Sequence, residues 1–450
     1  MPRPSLFARL SGALQGRMQS PYMRRAAGSF GLRFGGLFLQ FAGSVAVARL
    51  LGVAAFGSYS YAYTWAVIGG GVLGLGLAPL AIRELPRYLA RGQLGLLRGY
   101  LTAGLAMILA MTGIAAGLLA GLEAMDLLHF DMGWPLVLMV GLVQALILSL
   151  SALLNGFQRI VLSQFIENVL RYVLFLVALG VLFLLAYPFD AAAMLTVSLV
   201  MALPVVAVMV WAARRAMKAE IPGPLPAPDY ALRLWLVAAL PLLATNLMVQ
   251  LQTNLDVLLI GAMASDADVG RYRAASRGAD LMLIANTIAT QVLGPMLARA
   301  LAKPGGAAEG QRLISQSARV SALLGLPLGL GLGLGAAYYL RLFGPDFVAA
   351  APALQILIAA QVVAVLCGPV SVVLVMLGRE RQVLWVNLGA LALNLVLNLT
   401  LIPRFGILGA ATSTFVAVVV VRLTLLALVR RQSGFDPTLW PVARRWLGRR

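Results

Sequence analysis

Apolar runs long enough to cross a bilayer recur along the whole 450-residue chain, separated by short polar breaks. This excludes most soluble folds, because hydrocarbon offers no partner for a backbone N–H or C=O. An α-helix satisfies its own backbone, and about 20 apolar residues cross a membrane. Twelve spans are read: Ser29–Leu50, Phe56–Ile82, Tyr100–Leu122, Gly133–Leu154, Phe165–Leu185, Ala191–Ala213, Leu234–Gly261, Ala279–Ala300, Val320–Leu340, Ala353–Leu377, Leu384–Ile402 and Gly406–Val429. Several exceed the minimum, which implies tilt or ends projecting past the hydrocarbon. The fold class is all-α and polytopic. Only 11% of residues are charged, against about 25% in soluble domains.

The formal charge of +19 would point to nucleic acid in a soluble protein. Here the charge lies between spans, so anionic lipid headgroups and topology explain it, and no nucleic-acid partner is expected. With the N-terminus inside, the outer loops hold only Arg49, Arg271, Arg273, Arg277, Arg341 and Arg404. Most of the other Lys and Arg fall in inner segments, so both termini are expected in the cytoplasm of a bacterial inner membrane.

Five segments are expected. Residues 1–27 carry Arg3, Arg9, Arg17, Arg24 and Arg25 among apolar residues at helical spacing. They read as an interfacial amphipathic helix or a disordered basic tail. Residues 28–213 form a six-helix lobe. Residues 214–233, with Pro222, Pro224, Pro226 and Pro228, form a cytoplasmic linker. Residues 234–429 form a second six-helix lobe, and 430–450 a basic cytoplasmic tail. The halves echo each other. Leu51-Gly52 then Phe56-Gly57-Ser58-Tyr59 parallels Ile260-Gly261 then Val269-Gly270-Arg271-Tyr272. Gly156-Phe157-Gln158-Arg159 parallels Gly378-Arg379-Glu380-Arg381. Six spans per half make this a parallel repeat, with a substrate site expected between the lobes of an alternating-access transporter.

Charges at membrane depth need partners, water or a purpose. Arg33, Gly36, Gln40 and Ser44 share one face of the first span. That face either lines a cavity or lets Arg33 snorkel to the headgroups. Asn246, Gln250 and Asn254 recur every four residues in the seventh, beside Thr253 and Asp256. They read as cavity lining or as hydrogen-bonded packing. Arg273, Arg277, Asp280, Thr287 and Gln291 fall on one face of the eighth. Arginine's planar fork suits phosphate; the plainer alternative is a surface pair of Arg277 with Asp280. Glu167 and Arg171, four apart, are a structural pair, a proton-linked site or a cytoplasmic substrate contact. Asn387, Asn394 and Asn398 read as packing contacts and Arg422 as a snorkelling residue. The single cysteine, Cys367, and single histidine, His129, offer no metal cluster, and no cytoplasmic segment has a Walker pattern. No metal, cofactor or enzymatic activity is expected.

The run from Ala48 through Arg49, Leu50, Leu51 and Gly52 to Tyr59 resembles the first outer loop of bacterial polysaccharide-biosynthesis flippases, as does Arg83-Glu84 ending span two. Asp256-Val257-Leu258-Leu259-Ile260-Gly261 followed by Val269-Gly270-Arg271-Tyr272-Arg273 fits the same family, as does Ile402-Pro403-Arg404-Phe405-Gly406. The resemblance covers essentially the whole chain. It points to the multidrug/oligosaccharidyl-lipid/polysaccharide (MOP) exporter superfamily, and within it to the O-antigen or exopolysaccharide flippase branch. It implies a V-shaped, two-lobed bundle that moves undecaprenyl-diphosphate-linked oligosaccharide to the outer leaflet. It also implies partners among polysaccharide polymerases and glycosyltransferases. The expected substrate contacts are Arg33, Gln40, Asn246, Gln250, Asn254, Arg273 and Arg277; the ion-coupling candidates are Glu167, Arg171, Asp256 and Asp280. A cation-coupled drug exporter of the same superfamily, or a non-transporting assembly scaffold, are the competing readings.

Overall fold

The computed structural model describes residues 21–126, 133–221, 223–224 and 226–438. Residues 1–20, His129, residues 439–450 and the side chains of Arg33 and Gln291 lie outside the described residues. Every regular element among those described is helical. In chain order they are α1 (Pro21–Leu73), α2 (Leu77–Ala90), α3 (Leu94–Ala124), α4 (Trp134–Gly156), α5 (Ile160–Phe165), α6 (Arg171–Leu184) and α7 (Ala191–Glu220). Then come α8 (Leu232–Met263), α9 (Asp266–Leu301), α10 (Ala307–Leu334), α11 (Ala336–Arg341), α12 (Ala351–Cys367), α13 (Val370–Met376), α14 (Glu380–Phe405) and α15 (Ile407–Ser433). A π-turn, Ile166–Leu170, joins α5 to α6, and a 3-10 turn, Pro345–Ala350, leads into α12.

Ten helical stretches among the described residues are long and apolar enough to cross a membrane. One of them, Gly35–Leu73, contains most of the first expected span and most of the second, joined at Gly52 with φ 74° and ψ 177°. Only glycine enters that region without strain. The expected eighth span falls on α9, some of whose side chains lie outside the described residues. Two helix breaks escape a reading of apolar runs, because apolarity continues through them. The second expected span breaks at Gly76 (φ 70°), and the tenth breaks at Gly368 (φ 72°), just before Pro369. The Pro-rich break is also shorter than its charges imply. Helix α7 carries Arg214, Arg215 and Lys218 on to Glu220 before the chain turns extended.

The described residues fall into two compact units. Unit 1 comprises Met1–Ala46 and Trp65–Leu247; unit 2 comprises Val47–Thr64 and Met248–Arg450. In lipid, helices associate through close packing and hydrogen bonds rather than through expulsion of water. Both units show this.

In unit 1, a β-carbon on Gly76 would collide with the Ala239 carbonyl, so α2 starts directly against α8. The Trp235 indole donates to the Tyr88 hydroxyl at 2.8 Å and stands edge-on to Tyr100, ring centres 5.2 Å apart. The Pro-rich connection is pinned to α3. Arg98 donates to the Pro226 carbonyl at 2.9 Å, and the Asp229 N–H to the Gly95 carbonyl at 2.9 Å. A β-carbon on Gly99 would overlap the Asp229 carbonyl oxygen, so nothing larger than glycine fits there.

In unit 2, the two echoed glycine motifs pack on each other. A β-carbon on Gly57 would overlap the Asp266 carbonyl oxygen, and one on Gly270 that of Val53. Ser265 opens α9 with a capping box closed by Asp268. Arg49 donates to the Leu342 and Arg341 carbonyls at 2.7 and 2.8 Å, at the C-terminal end of α11. Phe56 packs against Phe343 and Phe347, ring centres 6.5 and 5.8 Å away.

Candidate functional site

Polar side chains gather in two places, one in each unit. In unit 1 the gathering point is the π-turn. Gly36 lets α1 approach it so closely that a β-carbon there would overlap Asn168 at 2.5 Å. One turn further, Gln40 donates to the Tyr172 hydroxyl at 2.8 Å. The polar face of α1 is therefore packed on the α5–α6 corner. A π-turn inserts one residue into the helical ladder, so residues four apart no longer stack as they do on an α-helix. Glu167 and Arg171 both reach across to α4. Ser151 donates to the Glu167 carboxylate at 2.8 Å and Ser163 joins Ser151 at 2.8 Å, while Arg171 donates to the Gln144 side chain at 3.1 Å.

In unit 2 the densest polar centre surrounds Asp256 on α8. Its carboxylate accepts the Tyr272 hydroxyl of α9 at 2.5 Å, the Asn398 amide of α14 at 2.7 Å and the Thr414 hydroxyl of α15 at 2.5 Å. Asn398 also donates to the Asn394 side chain at 3.1 Å, while its own Oδ1 is buried without a hydrogen-bond partner. Four helices thus converge on one carboxylate. The oxygens of Asp256, Asn394, Asn398 and Thr414 are hard ligands of the kind that suit alkali or alkaline-earth cations rather than transition metals. Among the described residues no group of three or more His, Cys, Asp or Glu forms a metal cluster.

Arg273 and Arg277 lie one turn apart on α9. Arg273 donates to the Asn254 side chain at 3.4 Å and has Tyr59, Tyr63, Arg277 and Asp280 as electrostatic neighbours. Tyr59 and Tyr63 are stacked, ring centres 5.8 Å apart. Arg277 pairs with Asp280 at 3.6 Å, as its i,i+3 position allows, yet its Nε is buried with no hydrogen-bond partner. Two like charges one turn apart repel, and the Asp280 carboxylate offsets only one of the two. This arrangement can hold an anion with spare N–H donors.

The other sequence candidates are placed as follows. Asn254 donates to the Gln250 carbonyl at 3.0 Å, so α8 presents Asn254 to Arg273. Asn246 is exposed on the part of α8 that belongs to unit 1. Thr287 donates to its own helix at Leu283, 2.8 Å away. The partners of Asp256 were missed as site residues. Asn394 and Asn398 belong to three asparagines on one face, a signal that reads as packing from the sequence. Tyr272 lay inside a recognised motif without a role, and nothing in the sequence around Thr414 distinguishes it.

The fold defines a multi-pass helical membrane protein with charged side chains held among its helices. A family model described as "Polysaccharide biosynthesis protein" matches residues 31–301, more than half of the chain, and the chain belongs to that family. Its fold is that of MOP-superfamily transporters. The structure "Lipid II flippase MurJ, inward closed conformation" superposes with a TM-score of 0.68 at 14% identity, covering 91% of this chain and 87% of that one. An inward-facing multidrug resistance MATE family transporter of the MOP superfamily gives 0.65 at 12% identity, over 88% and 96%. A mutant form of the Vibrio cholerae MATE transporter VcmN gives 0.51 at 17% identity, over 91% and 98%. A search of curated protein sequences finds no match.

Proposed function

We propose that this protein is a flippase that carries undecaprenyl-diphosphate-linked oligosaccharide from the cytoplasmic to the outer leaflet, by alternating access, for O-antigen or exopolysaccharide synthesis. The observation that carries this reading is the arginine pair of α9. Among the described residues, Arg277 keeps a buried Nε without a hydrogen-bond partner beside Arg273 and pairs with the Asp280 carboxylate. A diphosphate supplies acceptors for those donors, and charge-assisted bonds of this kind are worth about 1.5–3 kcal/mol each. Family membership supplies the polysaccharide context, and the fold is shared with a lipid II flippase. Asn254, Gln250, Asn246, Gln40 and Arg33 are proposed as further contacts for headgroup and sugar.

Asp256 is proposed as the coupling-ion ligand, because its carboxylate is surrounded by neutral oxygens and nitrogens from three other helices. Asp280 is engaged with Arg277, while Glu167 and Arg171 are held by α4. The loop charges support both termini in the cytoplasm of a bacterial inner membrane. The six-plus-six division, with its linker and tail, remains part of this proposal.

The test is reconstitution. Purified protein in liposomes should move a fluorescent lipid-linked oligosaccharide from the inner to the outer leaflet. Liposomes with protein that match protein-free liposomes would refute the assignment. Uptake of a cationic dye in place of the glycan would favour a drug exporter.

A further inference from the structure

Unit 1 contains a cavity of about 430 Å³ between α2, α3, α4 and α7, within the range of ligand-sized pockets. It belongs to neither polar centre. Its wall is apolar apart from Ser149, Tyr100 and Arg214. Two of these are satisfied within the protein: Ser149 donates to the Ala145 carbonyl at 2.8 Å, and Tyr100 to that of Leu77 at 2.6 Å. Arg214 alone brings a charge to the wall, and it stands exposed at one end.

The cavity fits within one leaflet. On α7 it runs from Val206 to Met217, which at 1.5 Å per residue is about 16 Å. One leaflet, headgroup region included, is about 20–22 Å thick. Its charged end carries Arg214, Arg215 and Lys218, and Arg215 sits over the exposed Trp211 ring at 5.5 Å. Tryptophan beside basic residues marks the headgroup level. By the loop-charge orientation this is the cytoplasmic side. Leu105, half exposed at 50%, puts the lipid-facing surface at the cavity's rim.

We infer that this cavity is a lipid site. It seats an acyl chain of an anionic phospholipid from the cytoplasmic leaflet, and Arg214 holds the phosphate. Basic residues at the headgroup end of an interhelical groove recognise such lipids. A cavity confined to one leaflet suits an acyl chain, whereas a polyprenyl tail would overrun it. The inference is independent of what the protein transports.

Native mass spectrometry of the full chain decides it. The protein is incubated with equimolar phosphatidylglycerol and phosphatidylcholine of identical chains. Wild type should retain one phosphatidylglycerol with about fivefold preference. Arg214→Ala should abolish the preference and Arg214→Lys should keep most of it. Gly104→Leu should reduce retention of both lipids, because Gly104 lines the cavity and a β-carbon there meets only Leu77 at 3.9 Å. If Gly104→Leu is not monodisperse, the Arg214 variants decide alone, since that side chain is exposed. Equal retention of the two lipids by wild type, or a preference that survives Arg214→Ala, would overturn the site. Displacement of the bound lipid by equimolar undecaprenyl phosphate would assign the cavity to the cargo's tail instead, and would also overturn it.

Discussion

The polar cluster of unit 1 is closed on itself, whereas the arginine pair of unit 2 is open. Around the π-turn, one acid and one base each meet neutral side chains of α4: Glu167 with Ser151 and Arg171 with Gln144. Around α9, two arginines share one carboxylate and Arg277 retains a buried donor without a partner. An unpaired buried donor costs about 1–3 kcal/mol, a cost that a bound anion would offset at Arg277. The contrast separates charge whose partners are all side chains of its own bundle from charge with a donor left over for a ligand.

The largest expected effect separates the two arginine groups. Arg273→Ala with Arg277→Ala removes two charge-assisted contacts, so glycan export in cells should fall on the order of 100-fold at unchanged membrane abundance. Arg171→Ala should change export by less than about threefold, because its partner Gln144 is neutral. Equal losses in both would erase the distinction between the units.

A smaller effect is expected in stability. Asp256→Leu strips the acceptor from Asn398, which is fully buried, and from Tyr272, 2% exposed. Thermal unfolding in detergent should show a loss of about 2–4 kcal/mol. Glu167→Gln keeps an acceptor for Ser151 and should lie within about 1 kcal/mol of wild type. The reverse order would place the structural carboxylate in unit 1.

The smallest effect is at the edge of unit 2, outside the membrane. Burial alone would raise the Asp436 carboxyl, but hydrogen bonds from Thr438 and Arg430 outweigh it and hold the group below the usual carboxylate range. A depressed folded value contributes stability that is complete above the unfolded pKa of about 3.9 and is lost as pH falls through the lower folded value. The segment after α15, which Asp436 also anchors through Gln311 at 2.9 Å, should therefore loosen only below about pH 4. Hydrogen exchange at Asp436–Thr438 should rise there in wild type, while in Asp436→Asn it should already be faster at neutral pH.

Helix class and membrane character were legible because the hydrocarbon solvent forces a single solution on the backbone. The breaks at Gly76 and Gly368 were not, since φ above zero leaves no mark on hydropathy. The glycine echoes at Gly57 and Gly270 were visible as a repeat. That they touch depends on tertiary placement, which no spacing encodes. The neighbourhood of Arg273, Arg277 and Asp280 was legible because all three share one helix. The shell of Asp256 was not, because its donors come from α9, α14 and α15. The extent of unit 2, which takes in Val47–Thr64, was likewise invisible to a reading by halves.

The central claim is that the arginine pair of unit 2 binds the diphosphate of a lipid-linked cargo. Titration of purified protein with undecaprenyl diphosphate and with the neutral undecaprenol tests it directly. The diphosphate should bind at least about tenfold more tightly, and Arg273→Ala with Arg277→Ala should bring the two to parity. Equal affinity in wild type, or a diphosphate preference that survives the double substitution, would contradict the claim.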